Sequence, residues 1–228
     1  MTDLAPSGAL LLVIWGTLVG LDLVSVPQAM VARPVIAGSV AGWLAGDVEA
    51  GLRVGVLFEL FALDVLPVGA VRYPDYGPAT VAATALAADS PWQFALGLSA
   101  ALGLTIAVLG GFSLQLVRRA NARAIQHRSA ALAAGESSAI RQLQYGSLLR
   151  DAARGAVLTT LGLAAAWALA EPLTALDRST ALGLTLVALG CGLSAGIGGA
   201  LRSAGRGPRL RWLGAGALAG LIAAAALR

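Results

Sequence analysis

The stretch Asp22-Leu-Val-Ser-Val-Pro27-Gln28-Ala-Met-Val-Ala-Arg33-Pro34-Val-Ile-Ala-Gly38-Ser-Val-Ala-Gly42-Trp-Leu-Ala-Gly46-Asp47-Val-Glu49-Ala-Gly51-Leu-Arg53-Val-Gly55-Val-Leu-Phe-Glu59 decides how this chain folds. It is oily enough for a bilayer, yet charge and proline interrupt it repeatedly. The apolar run that leads into it, about Gly8 to Ala32, is long enough to cross, but Asp22, Pro27 and Gln28 break its second half. The next run, Pro34 to Gly46, would make a helix of about 20 Å, short of a hydrocarbon core of about 30 Å. A third, Val54 to Val71, contains Glu59 and Asp64 and ends in Arg72-Tyr73-Pro74-Asp75. Broken or re-entrant helices are tolerated at membrane depth only where protein or a wet cavity satisfies the freed backbone. In transporters such interruptions build the substrate site. The competing reading makes the charges short loops between tightly packed helices.

Composition agrees with a bilayer. Of 228 residues 57% are hydrophobic and only 12% charged, too few to coat a water-soluble fold. Disorder, collagen and a disulfide scaffold are excluded. The net charge of +4 comes from sixteen basic residues, all arginine and confined to a few loops, so it does not point to nucleic acid. The one cysteine, Cys191, lies in an apolar run and has no intrachain partner. The N-terminus, Met1 to Ser7, carries Asp3 and no basic residue, which is unlike a secretory signal.

The chain therefore reads as an all-α integral membrane protein, a polytopic bundle in one membrane domain over 1–228. Its N-terminal part, 1–88, is broken or re-entrant. Spans are expected at 92–117, 155–170, 180–201 and 212–227, with a basic linker at 118–154. Arginines mark loops 118–154 and 202–211 as cytoplasmic, and the acidic Glu171 to Arg178 segment as external. An external N-terminus then needs an even number of crossings before residue 89, or re-entrant hairpins that cross nothing. Trp92, Trp167 and Trp212 stand at aromatic-belt positions. Gly38, Gly42 and Gly46, Gly51 and Gly55, Gly192 and Gly196, and Gly216 and Gly220 recur at four-residue spacing, which lets helix backbones approach closely.

Gln28 to Gly38 with its Arg33-Pro34 pair, then Gly46-Asp47, Gly51, Gly55, Glu59, Gly69 and Pro74-Asp75, resembles the IIC component of the mannose/fructose/sorbose group of the sugar phosphotransferase system. The ordered set covers about fifty residues, and no single piece of it is specific. The basic linker, with Gln126-His127 and Ala134-Gly135-Glu136, is also similar to the family's; beyond about residue 155 only hydropathy matches. The resemblance implies a sugar-translocating permease subunit of the bacterial inner (cytoplasmic) membrane. It implies a IID membrane partner, trimeric assembly of each membrane subunit, and cytosolic IIB and IIA phosphocarriers that phosphorylate the hexose. On that reading the chain has no catalytic residues of its own, no cofactor and no metal.

A hexose offers hydroxyls that donate and accept, for which carboxylates and side-chain amides are suited partners. Glu59, in an apolar run, is a sugar-hydroxyl acceptor or a structural partner of a re-entrant backbone. Gln28 is a ligand or a helix-end cap. Asp75 is a helix cap or a sugar or gating contact, and Asp22 would face the same cavity. Arg33 is expected to pair with an acid or terminal carbonyls, Asp47 to cap a helix beginning near Gly51, and His127 to be a solvated loop residue. The arginine-rich segment has two readings, topology or docking of acidic surfaces. Two rival functions stay open: a non-transporting scaffold or regulator on the same fold, encouraged by Arg72-Tyr73 and Asp64, and a proton-coupled carrier with Asp22 or Glu59 titrating.

Overall fold

The computed structural model of the chain describes residues 6–26, 28–65, 72–89 and 96–204. Within them the elements are helices alone: α1 (Pro6–Asp22), α2 (Pro34–Ala45), α3 (Val48–Ala62), α4 (Tyr76–Ala88), α5 (Leu96–His127), α6 (Ser129–Ala133), α7 (Ser137–Thr174) and α8 (Arg178–Ala204). Among the described residues α5, α7 and α8 are long and apolar enough to cross a membrane. The others are shorter: α2, α3 and α4 hold 12, 15 and 13 residues. At 1.5 Å per residue none of the three reaches a span of about 30 Å. The expected broken N-terminal half is thus present. The proposed span 212–227, loop 202–211 beyond Ala204, and residues Pro27, Gly69 and Trp92 lie outside the described residues.

Local chemistry places each break. Pro34 occupies the first turn of α2, where its missing N–H costs nothing, and holds Arg33 extended at φ −65°, ψ 130°. Gly46 ends the helix in the left-handed region at φ 87°, and the Asp47 amide donates back to the Gly42 carbonyl at 2.8 Å. Asp47 then accepts from the Ala50 amide at 2.9 Å and so starts α3 at Val48, three residues earlier than the sequence suggested.

This tight turn folds α3 back along α2, and glycines meet at the contact. A Cβ on Gly42 would lie 2.9 Å from the Gly51 Cα, and one on Gly55 would lie 2.7 Å from the Pro34 carbonyl oxygen. Gly38 and Gly51 are equally blocked by each other's carbonyls. The four-residue glycine spacing is therefore a backbone-to-backbone contact surface. Gly192 and Gly196 do similar work, seating α8 against Leu57 and Leu60 of α3.

The centre is α4, buried from Gly77 through Ala87. One core joins Phe58 of α3, Ala83 of α4 and Ala100 of α5; another joins Ala79, Ile106 and Leu158. Leucines 10, 11 and 18 of α1 and Leu186, Val187 and Leu193 of α8 face outward, as a lipid-facing surface requires.

The basic segment 118–154 departs from the expected loop. Helix α5 runs ten residues past Val117, to His127, and α7 begins at Ser137, long before Gly155. Arginine, alanine, glutamine and leucine are good helix formers, so the helix continues where hydropathy stops. His127, at the end of α5, is exposed.

On the opposite side Asp177 precedes α8 and accepts from the amides of Ser179 and Thr180 at 3.1 and 3.2 Å and from both hydroxyls. These donors hold its carboxyl down at about 2 from the ordinary 3.8, the Ser179 hydroxyl most strongly. A depressed carboxylate stabilises in full above its unfolded value and stops doing so as pH falls through the folded one. Melting temperatures of wild type and Asp177→Ala in detergent are therefore expected to stay equally far apart from about pH 8 to about pH 4, and to converge between about pH 4 and about pH 2.

Candidate functional site

Four helix ends converge on one cleft of about 270 Å³. The C-terminal ends of α1 and α3 contribute Asp22, Leu23, Ala62 and Val65; the N-terminal ends of α2 and α4 contribute Pro34, Tyr76 and Gly77. The connecting segments add Gln28, Met30, Arg33, Tyr73 and Pro74. Its size is near the lower end of small-molecule sites, about 300–1,000 Å³. A second cavity of about 420 Å³ between α1 and α7 is lined by Leu10, Val13, Leu163, Trp167 and similar groups, with Thr160 its one hydroxyl. The first carries the polar groups a hydroxylated ligand needs.

Of the four residues singled out for substrate, Asp22 and Gln28 line the cleft and Glu59 and Asp75 do not. Asp22 is buried, and its two oxygens accept from the Ala29 and Ala32 amides at 2.6 and 2.9 Å. It clasps the break after α1 into a loop. Gln28 is exposed, lines the cleft, and its side-chain amide donates to the Leu23 carbonyl at 3.3 Å. Glu59 pairs with Arg33 and accepts from the Val35 amide at 3.4 Å, at the N-terminal end of α2. It therefore meets the cleft through Arg33, which lines it.

Asp75 differs from the expected cap. It stands before α4, but its side chain makes no capping bond. Instead it binds Arg154 of α7 at 2.6 Å, and its amide donates to the Ala107 carbonyl of α5 at 2.9 Å. Gly110 and Gly111 make room for this: a Cβ on Gly110 would lie 2.6 Å from the Asp75 Cβ. Arg154 also binds Asp151 at 2.7 Å and the Gly20 carbonyl at 3.4 Å, and Asp151 accepts from the Ser25 hydroxyl. Asp75, Asp151 and Arg154 are all buried. Sequence reasoning missed Asp151 and Arg154 by assigning them to a loop. Their three-residue spacing at the very edge of the apolar run was the available signal.

Around the cleft mouth, the Arg118 guanidinium donates to the Tyr73 hydroxyl at 3.2 Å, and Arg72 lies 4.1 Å from the Phe112 ring centre. The Tyr76 ring packs edge-on against Phe58 at 6.0 Å. Met30 holds a left-handed φ of 64°, a strained conformation for a side chain of its size, at the cleft's edge. Among the described residues there is no cluster of histidine, cysteine, aspartate and glutamate able to hold a metal.

Helices long and apolar enough to cross a membrane, shorter helices beside them, and a polar cleft where helix ends meet define a multi-pass α-helical membrane protein with interrupted helices. Comparison with known proteins gives the particular kind. The family described as "PTS system sorbose-specific iic component" matches residues 7–199, and the chain belongs to it. The sorbose-specific EIIC component of Lacticaseibacillus casei is 30% identical over 153 residues, 67% of this chain and 54% of that protein. The mannose-specific EIIC component of Escherichia coli K12 is 30% identical over 126 residues, 55% of this chain and 46% of that one. The chain thus spans about half the length of these curated relatives. Two solved structures share the fold. One, of a membrane protein, has a TM-score of 0.77 at 22% identity and covers 98% of this chain and 92% of its own. The other, the mannose transporter ManYZ with microcin E492, has a TM-score of 0.63 at 20% identity, covering 98% and 95%.

Proposed function

We propose that this chain is the sugar-translocating IIC subunit of a phosphotransferase system of the mannose/fructose/sorbose type, and that the cleft where four helix ends meet is its hexose site. The observation that carries the reading is the lining: Asp22, Gln28, Arg33, Tyr73 and Tyr76 put donors and acceptors on a cavity of ligand size inside an apolar bundle. Gln28 and Arg33 read hydroxyls directly, while Glu59 holds Arg33 in place. Translocation is by alternating access, the N-terminal re-entrant part holding the sugar while one bundle of helices moves against another. Phosphoryl transfer belongs to a IIB protein charged by IIA, and the chain works beside a IID subunit in a trimeric assembly. The positive-inside rule puts the end of α5 and the start of α7 in the cytoplasm. Helix α1 then runs inward, since Gly16 faces Thr159 and Gly20 faces Gly155 of α7, and the cleft lies toward the cytoplasmic end.

The test is hexose uptake by membranes carrying the chain, a IID subunit and the phosphocarriers. Gln28→Ala and Glu59→Gln are expected to abolish uptake while the protein still inserts and assembles. Wild-type uptake by both variants removes the cleft as the sugar's site.

A further inference from the structure

Arg154 binds three groups with one planar fork. Its Nε binds Asp151 at 2.7 Å, its Nη1 binds Asp75 at 2.6 Å, and its Nη2 reaches the Gly20 carbonyl at 3.4 Å; Asp151 passes the link on to Ser25. None of these groups lines the cleft. Two of the segments they tie down are nonetheless its walls. Gly20 and Ser25 flank Asp22 and Leu23, and Asp75 sits between Pro74 and Tyr76. The third party is α7, a helix of 38 residues. Buried charge clusters contribute little to stability that well-packed apolar groups of the same size could not supply, and their best-attested use is to fix one geometry among several. A guanidinium suits this, because its donors are rigidly spaced and always charged.

We infer that Arg154, with Asp75, Asp151 and Ser25, is a positioning latch: it fixes the two walls of the cleft in register against α7 and so sets the cleft's affinity for its ligand. The ligand part of this inference rests on the hexose reading above; the wall-to-wall register does not.

The experiment compares wild type with the neutral triple variant Asp75→Asn/Asp151→Asn/Arg154→Met, which leaves no buried charge unpaired. Both carry Cys191→Ser and spin labels on cysteines replacing Val24 and Arg72, one exposed residue beside each wall. The pair's distance distribution is read by pulsed electron paramagnetic resonance in the assembled membrane complex, and KM for hexose uptake is measured on the unlabelled proteins. The triple variant is expected to give a broadened distribution and a KM about tenfold higher. A distribution as narrow as wild type's overturns the latch. A broadened distribution with an unchanged KM upholds the latch and removes the cleft as the hexose site, so the two failures are told apart. If the triple variant does not fold, Ser25→Ala, which removes only the hydroxyl link to Asp151, decides by the same readings.

Discussion

Arg154→Met alone is expected to destabilise the protein by about 3–5 kcal/mol, the usual cost of breaking a buried ion pair from one side. The variant leaves Asp75 and Asp151 facing one another with no cation, and both are only 1% exposed. Neither water nor lipid headgroups reach them to compensate, and the Gly20 carbonyl adds a further acceptor on the same spot. Denaturant unfolding in detergent, followed by circular dichroism, measures the loss. Neutralising both carboxylates in the same protein should recover most of it, because the cost is that of the stranded charges. An Arg154→Met protein that unfolds at the wild-type midpoint would show that the cluster is not buried as described.

Gly51→Leu is expected to be the second large loss, beyond the roughly 3 kcal/mol typical of overpacking. Most overpacked sites relax by turning a neighbouring side chain. Here the first atoms met belong to the backbone of Gly38 and Gly42 in α2, and they cannot turn aside. The two helices would have to separate along their whole contact, which carries Glu59 away from Val35 and opens the α2 side of the cleft. The matched control is Gly190→Leu on α8, where an added Cβ meets nothing within 4 Å. Thermal melting of both variants gives the comparison. Equal, small shifts would mean that α2 and α3 are not in backbone contact.

Much of this hairpin was legible beforehand. Pro34 fixed where α2 begins, Gly46-Asp47 fixed where it turns, and the glycine spacing announced a close approach, because each of these signals acts within a few residues. Hydropathy failed at 118–154 for an equally plain reason: it measures the cost of placing side chains in oil, whereas helix continuity depends on backbone propensity, which arginine and alanine satisfy in water too. Asp75 illustrates the harder limit. Its neighbours in sequence invite a cap, but its partner is 79 residues away, and a choice between a local backbone donor and a distant guanidinium is made only by the packed bundle. Glu59 was picked out as an acid in an oily run, yet the contact with Arg33 that places it behind the cleft lining depends on how α2 and α3 fold back on each other.

The meeting of four helix ends has an electrostatic consequence. Each N-terminus carries roughly half a positive elementary charge and each C-terminus roughly half a negative one. With α2 and α4 presenting the former and α1 and α3 the latter, the partial charges cancel in sum but not in space. A solute bearing a net charge gains little from such an alternating field. An uncharged molecule studded with small, freely turning bond dipoles can satisfy every quarter of it at once.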